Sequence, residues 1–264
     1  MKQQISIIIP VLNEASNIGK LLEHLITHSN SENISEIIVV DGGSTDNSQN
    51  IVQAFSDFNH TTNAKVFHYI DNAVLVKNQT EHDYTKTNIK LINSEKGRAK
   101  QMNLGAKSSK GQILYFLHAD TLPPNHFDKY IIKEVKKENK AGCFRMQFNS
   151  NHWWLRLASW FTKFSWRACR GGDQSQFITK DLFHEIGGFD ERYTIYEDNI
   201  LINALYARKQ FVVINKKIKT SARLYETYGV WKLQYLYWRI YLKQWLGADA
   251  NTLYKYYKKC INVK

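Results

Sequence analysis

The sequence predicts an α/β fold, a doubly wound and mostly parallel sheet flanked by helices, on three observations. Apolar runs of strand length alternate with segments whose apolar residues recur at helical spacing. That β-α-β-α rhythm is the pattern of parallel strands joined by crossover helices. Three of the runs end in polar clusters, "PVLNE", "DGGSTD" and "HAD", and in such sheets ligands bind beyond the carboxyl ends of the strands.

Each element follows from its residues in chain order. Ile5 to Pro10 reads as a buried strand, and Ile18, Leu21, Leu22, Leu25 and Ile26 then mark one face of a helix. A second strand, Glu36 to Asp41, runs into Gly42-Gly43-Ser44-Thr45-Asp46, a turn and helix start. Residues 57 to 90 are polar, with "NQTEHDYTKTN" inside, and read as a long loop or a hairpin insertion. Leu91 to Ser94 is the next strand, ahead of a helix through Gln101, Leu104 and Ala106. The strand Gln112 to Leu117 follows, then a Pro-started helix from Pro124 to Asn139. Ile200, Leu201, Ala204 and Leu205 support a helix beginning near Glu197.

Two segments carry most of the tryptophan. "HWWLRLASWFTKFSW" (152 to 166) holds Arg156 and Lys163 among its aromatics, and "VWKLQYLYWRIYLKQWL" (230 to 246) holds Lys232, Arg239 and Lys243. Cations among amphipathic aromatics suit a helix lying at a membrane surface. A helix packed on the domain with its basic residues in water accounts for the same pattern. The chain divides at this level into a domain over residues 1–225 and a C-terminal helical segment over 226–264.

Composition narrows the function. Hydrophobic content of 43% with 23% charged residues is that of a folded globular chain, and 264 residues suffice for one large domain with an appendage. A net charge of +12 points to an anionic partner: nucleic acid, an acidic membrane or a phosphorylated small molecule. Nucleic acid is disfavoured, because carboxylates at the strand ends would repel its phosphates. The three cysteines (Cys143, Cys169, Cys260) form no CxxC pair, which argues against a disulfide framework or a zinc site and fits a reducing cytoplasm. "ISIIIPVL" is too short for a signal-peptide core, and no apolar run reaches the roughly 18 residues of a membrane span. The expected location is cytoplasmic, with peripheral contact at the inner face of the cell membrane.

The strand-end residues suggest chemistry. Asp41 and Asp120 end different strands and can face one crevice, with Lys96, Arg98 and Lys100 just before the "HAD" strand. A carboxylate holding Mg2+ or Mn2+ beside arginines suits a diphosphate, and one or two protein carboxylates are enough for such a cation. Glu197 and Asp198 fall in the first turn of their helix. Acids there complement the helix dipole, or one of them serves as a general base; the sequence leaves both open.

The ordered set "IIIPVLNE", "IIVVDGGSTD", "GRAKQMNLGA", "YFLHADT", "GGDQSQF", "IGGFDE" and "YEDNIL" resembles the family 2 glycosyltransferases of the GT-A, Rossmann-like fold. It looks most like a bacterial subgroup whose metal motif reads His-Ala-Asp. "TSARLYETYG" and the final helices are similar to that subgroup too. The likeness covers nearly the whole chain outside 57–90.

The resemblance implies transfer of a sugar, with inversion, from a nucleotide-sugar donor, a UDP-sugar being favoured, to an acceptor hydroxyl, including one on a lipid-linked or cell-envelope molecule. Pro10 and Glu14 match the first-strand motif that borders the nucleotide. Asp41 matches the acid that contacts base or ribose, with Asp46 beside it, and Arg98 the basic residue near uracil or phosphates. Asp120 matches the last Asp of the Asp-x-Asp signature, which reaches Mn2+ or Mg2+. Asp198 matches the general base, with Glu197 next to it. Gly187, Gly188 and Phe189 would shape the wall near the donor sugar, and Asp173 and Gln174 would add to the donor-sugar and acceptor pocket. One departure is His118 in place of the first Asp of Asp-x-Asp; a neutral imidazole there can hydrogen-bond a ribose hydroxyl or ligate Mn2+. "GGDQSQF" departs from the Gln/Arg-x-x-Arg-Trp pattern of processive synthases, so transfer is expected to be non-processive. A nucleotidyltransferase would need a Gly-rich, basic loop after the first strand, which "PVLNEASNIG" lacks. An inactive nucleotide-binding relic is the other alternative, disfavoured by the joint presence of Asp41, Asp120, Glu197 and Asp198.

Overall fold

The computed structural model describes residues 3–58, 66–70, 73–77 and 87–261. In chain order the elements are β1 (Ile5–Val11), α1 (Ala15–His28), β2 (Ile34–Asp41), α2 (Ser48–Phe58), β3 (Val66–Ile70), β4 (Ala73–Lys77), β5 (Ile89–Asn93), α3 (Arg98–Ser108), β6 (Ile113–Phe116) and β7 (Thr121–Leu122). They continue with α4 (Phe127–Val135), β8 (Ala141–Phe148), α5 (Trp153–Phe161), β9 (Gln176–Thr179), α6 (Lys180–Ile186), α7 (Glu197–Ala207), β10 (Val212–Thr220), α8 (Arg223–Tyr228), α9 (Val230–Trp245) and α10 (Ala250–Cys260).

Eight strands form one mixed sheet in the order β5-β2-β1-β6-β9-β8-β10-β7. β5, β2, β1 and β6 are parallel neighbours. β9 runs against both β6 and β8, β10 is parallel to β8, and β7 is reversed on β10. Six of the eight strands therefore point one way, as the alternating pattern predicts. β3 and β4 pair antiparallel as a separate hairpin within the polar 57–90 segment; residues 59–65, 71–72 and 78–86 of that segment lie outside the described residues.

The period of two along β1 explains the layering. Ile5, Ile7 and Ile9 face a core built with Leu21, Leu22 and Leu25 of α1 and Phe127 and Ile131 of α4. Ile8 faces the opposite core with Met102 and Ala106 of α3, Leu182 of α6 and Leu205 of α7. Helices thus cover both faces, and each fully buried Ile or Leu contributes about 1.5–3 kcal/mol.

The helix expected from Pro124 begins at Phe127. The chain first makes the short β7 pairing with β10, and His126 adopts a left-handed φ of 60° that no helix can include. At the other end α9 and α10 pack through Leu233, Leu236, Ile240 and Leu253, together with Tyr193, Ile195 and Tyr196. Helix α8 spans the 225/226 position. Among the described residues no helix is long and apolar enough to cross a membrane.

Candidate active site

The loops after β1 and β2 are laced together at the sheet's carboxyl edge. Asn13 takes a left-handed φ of 56°, and its Oδ1 accepts from the Thr45 amide (2.8 Å) while its own amide donates to Ser44 Oγ (2.9 Å). Asp46 Oδ2 accepts from the Ala15 amide, and its Oδ1 accepts from Ser48. Asp46 thereby joins the start of α1 to the start of α2. Asp41 Oδ2 accepts from the amides of Gly43 and Ser44 and from Gln49 Nε2, while its Oδ1 is buried with no partner among the described residues. Burial raises the Asp41 carboxyl, but the bonds from Ser44, Gln49 and Gly43 outweigh it and leave the group below its ordinary range. Pro10 is the one partly exposed residue of β1, and Glu14, in the loop beyond it, pairs with Arg223 at 2.8 Å.

Beyond β6 the chain delivers His118 and Asp120 to the same edge. Asp120 Oδ2 stands 3.8 Å from Arg223, so Glu14, Arg223 and Asp120 form a charged row. Burial and the neighbouring Glu14 push the Asp120 carboxyl up, with Arg223 opposing. His118 Nδ1 lies 3.7 Å from Asp173 and its Nε2 4.0 Å from Asp198. Burial, then Arg98, lower the His118 pKa to about 3, so the imidazole is neutral at ordinary pH.

Helix α7 brings the acid pair. Tyr196 precedes it with a left-handed φ of 74°, its ring held edge-on against Tyr241; for a non-glycine residue this backbone costs on the order of 1–3 kcal/mol. It turns Glu197 and Asp198, only 1% and 8% exposed, inward. Arg98, the first residue of α3, places Nη1 3.2 Å from Glu197 Oε1 and 3.5 Å from Asp198 Oδ2. The Asp198 carboxyl is raised, first by burial, then by Glu197, and Arg98 moderates the rise. Asp173 is raised as well, by enclosure in the cleft and by Asp120 and Asp198; its side chain, 57% exposed, opens into the cavity and not onto a flat surface.

These groups line one cavity of about 500 Å³, within the usual range for small-ligand sites. Arg98, Asp120, Asp173, Gln174, Glu197, Asp198 and Arg223 all border it. His118 does not border it but neighbours Asp173 and Asp198, and Pro10, Glu14, Asp41 and Asp46 are not among the residues that line it. Gly187 and Gly188 cap the C-terminus of α6 by donating their amide N–H groups to the carbonyls of His184 and Phe183, away from the lining, and Phe189 packs edge-on to Phe116 in the core.

Three contributors carried no role in the sequence reading. Arg223 lies in "TSARLYETYG", where likeness alone marked it. Arg170 is fully buried and donates to Gln174 Oε1, Cys143 Sγ and the carbonyls of Thr162 and Phe164. Its guanidinium thus fixes the 162–175 segment that walls the cavity, and Gln174 is committed to the same joint through its bond to the Cys169 carbonyl. Gly172 is the third: a Cβ there would fall 1.9 Å from Asp198 Oδ2. A lone Gly-Gly pair gives no signal for so close an approach from a distant helix.

Asp120 suits a divalent cation by its donor chemistry. It is a hard carboxylate in a region crowded by Glu14 and Asp173, and its Oδ1 accepts a long bond of 3.3 Å from the Thr121 hydroxyl. Among the described residues no group of three or more His, Cys, Asp or Glu is arranged around a metal position. A cation here would use one protein carboxylate and take further oxygens from a diphosphate.

Comparison with known proteins bears on this arrangement. The family model for Glycosyl transferase family 2 matches residues 6–190. The probable glycosyltransferase YdaM of Bacillus subtilis (strain 168) is 24% identical over 252 residues, covering 89% of this chain and 54% of that protein. Glycosyltransferase AglE of Haloferax volcanii is 29% identical over 119 residues, covering 45% of this chain and 31% of that one. The chain spans about half or less of the length of these curated relatives. Among solved structures, S. aureus TarS 1-349 in complex with UDP superposes with a TM-score of 0.59 at 16% identity, over 87% of this chain and 64% of that one. Mannosyltransferase PcManGT from Pyrobaculum calidifontis, in complex with GDP-Man and Mn2+, superposes with a TM-score of 0.65 at 14% identity, over 95% and 66%. At such identities the likeness shows a shared GT-A, α/β fold.

Proposed function

The chain belongs to glycosyl transferase family 2, and on that premise we propose that it is an inverting, non-processive enzyme moving a sugar from a nucleotide-sugar, a UDP-sugar first, to an acceptor hydroxyl. The observation that supports this most is the convergence of Asp120, Asp198, Arg98 and Arg223 on one cavity at the sheet's carboxyl edge. Each has a separate task. Asp198, a buried carboxylate facing the cavity, takes the proton from the acceptor oxygen as that oxygen attacks the anomeric carbon from the face opposite the nucleotide. Arg98, paired with both Glu197 and Asp198, holds the base in place and lowers its pKa against the larger upward pull of burial and Glu197. Arg98 and Arg223 flank the acids and offer guanidinium groups to the departing diphosphate. Asp120 would hold Mg2+ or Mn2+, which when bound neutralises charge on that leaving group. Neutral His118, beside Asp173 and Asp198, would offer a ribose hydroxyl a hydrogen bond without adding charge.

Product analysis tests the reaction class. A sugar transferase incubated with UDP-sugar and an alcohol acceptor releases UDP as turnover proceeds. Release of inorganic diphosphate and a nucleotide-sugar from a parallel incubation with UTP and a sugar 1-phosphate would identify a nucleotidyltransferase instead.

The reading extends to a membrane-linked acceptor. Trp231, Tyr235, Trp238, Leu242 and Trp245 recur every three or four residues on α9 and are 45–81% exposed, while Leu233, Leu236 and Ile240 bury the other face. Trp153 and Trp154 of α5 contact Trp231, so the two helices share one aromatic surface. Arg156, Lys232 and Arg239 are exposed on the same two helices, and each cation near an anionic bilayer is worth about 1 kcal/mol. In a flotation assay the protein is expected to rise with phosphatidylglycerol vesicles at low salt and to be released by high salt. Sedimentation away from those vesicles at low salt would remove the membrane from the account.

A further inference from the structure

The residues lining the cavity are of two kinds. One comprises the acids and arginines described above. The other comprises Trp154, Leu157 and Phe161 of α5, Leu224 and Tyr225 of α8, and Tyr237 of α9. Its indole handle is already engaged. Trp154 Nε1 donates to Gln234 Oε1 at 3.0 Å, which ties α5 to α9 across the wall. Tyr225 lies edge-on to Phe148 at 5.2 Å, packed as an apolar ring. Apart from the Tyr225 and Tyr237 hydroxyls, which lie toward Asp173, such a wall offers a free oligosaccharide few hydrogen bonds and leaves apolar surface against its hydroxyls. A hydrocarbon chain removes the same surface from water.

This apolar lining also has a mouth. Leu157 and Leu224 border the cavity and are open to the outside. Trp154, part of that lining, touches Trp231 and Trp238 of the exposed aromatic face. The apolar lining of the cavity is therefore continuous with the surface that carries the tryptophan stripe.

We propose that this lining forms a binding lobe for a single hydrocarbon chain, so that the acceptor is an amphiphile whose hydroxyl-bearing head meets Asp198 while its chain lies between α5, α8 and α9. The assignment of the head to Asp198 rests on the sugar-transfer reading of the acid end. The chain enters at Leu157 and Leu224 from the aromatic face, and the head then lies at the acid pair with its hydroxyl directed to the donor side.

The test uses the whole chain with n-decanol as probe, titrated by tryptophan fluorescence, and UDP with Mn2+ titrated by calorimetry on the same preparations. Two variants block the lobe differently. Ala158→Trp fills it from α5, where Ala158 lines the cavity, and Leu224→Lys places a charge at its partly exposed mouth. Excluding about two methylene groups from an apolar site weakens binding about tenfold, so both variants should bind n-decanol at least that much more weakly than wild type. Saturable decanol binding by wild type, weakened in both variants with UDP binding kept, is the expected result. Decanol that does not bind, or binds wild type and both variants alike, with UDP bound normally, would overturn the lobe and leave the sugar-transfer reading standing. Decanol bound in the lobe by a protein that binds no nucleotide would overturn the acceptor assignment together with the reading it rests on.

Discussion

Asp198→Asn should lower turnover by about 10²–10⁴-fold while UDP binding survives, because the amide keeps the shape of the side chain and cannot accept the acceptor's proton. The pH profile gives the same residue a second signature. A base works only when deprotonated, so activity falls as pH falls through the Asp198 pKa. Burial and Glu197 raise that pKa, so the acid limb of kcat/KM is expected above the ordinary aspartate value of about 3.9. Arg98 opposes the rise; Arg98→Met should therefore move the limb to still higher pH, and Asp198→Asn should abolish it. Loss of donor affinity in Asp198→Asn with turnover intact would show that the role belongs to another group.

Gly172→Ala should cost turnover on the order of 10²-fold, through geometry and with no change of charge, because a displacement of about 1 Å at a catalytic group is enough for such a loss. The added methyl would stand 1.9 Å from Asp198 Oδ2 and 3.2 Å from the His118 ring. No atom can stay there, and the easiest relief is rotation of the carboxylate away from the cavity. Gly171, its neighbour, has nothing within 4 Å of the corresponding position, so Gly171→Ala is the control, expected to retain activity. Equal activity in the two variants, measured at saturating donor, would mean that Asp198 need not sit where the structure puts it.

The parallel half of the fold was legible because β1, β2 and β6 are buried on both faces and so read as unbroken apolar runs. β10 was not. Asn215, Lys216 and Lys217 are exposed where the register with β8 shifts between Ile214 and Lys217, and a lysine-rich stretch carries no strand period. β9 is only four residues long, too short for any period to show. For the site, Asp120 and Asp198 were readable from their place at a strand end and a helix start. Asp41 was marked by its strand end and Asp46 only by the family resemblance, and the structure engages their carboxylates in loop hydrogen bonds. Arg223 escaped because its partner Glu14 is 209 residues away, a pairing no local pattern announces. The aromatic segments posed an open choice between packing and a membrane face; α9 divides them, with leucines and Ile240 inward and the tryptophans outward.

The central claim is that this strand-end cavity is a metal-assisted nucleotide-sugar site, and calorimetric binding of UDP and GDP, each with and without Mn2+, to wild type and Asp120→Asn tests it most directly. The account predicts UDP binding to wild type that depends on Mn2+ and is lost in Asp120→Asn, with GDP weaker. Binding that ignores both the metal and the substitution, or no binding of either nucleotide, would contradict it.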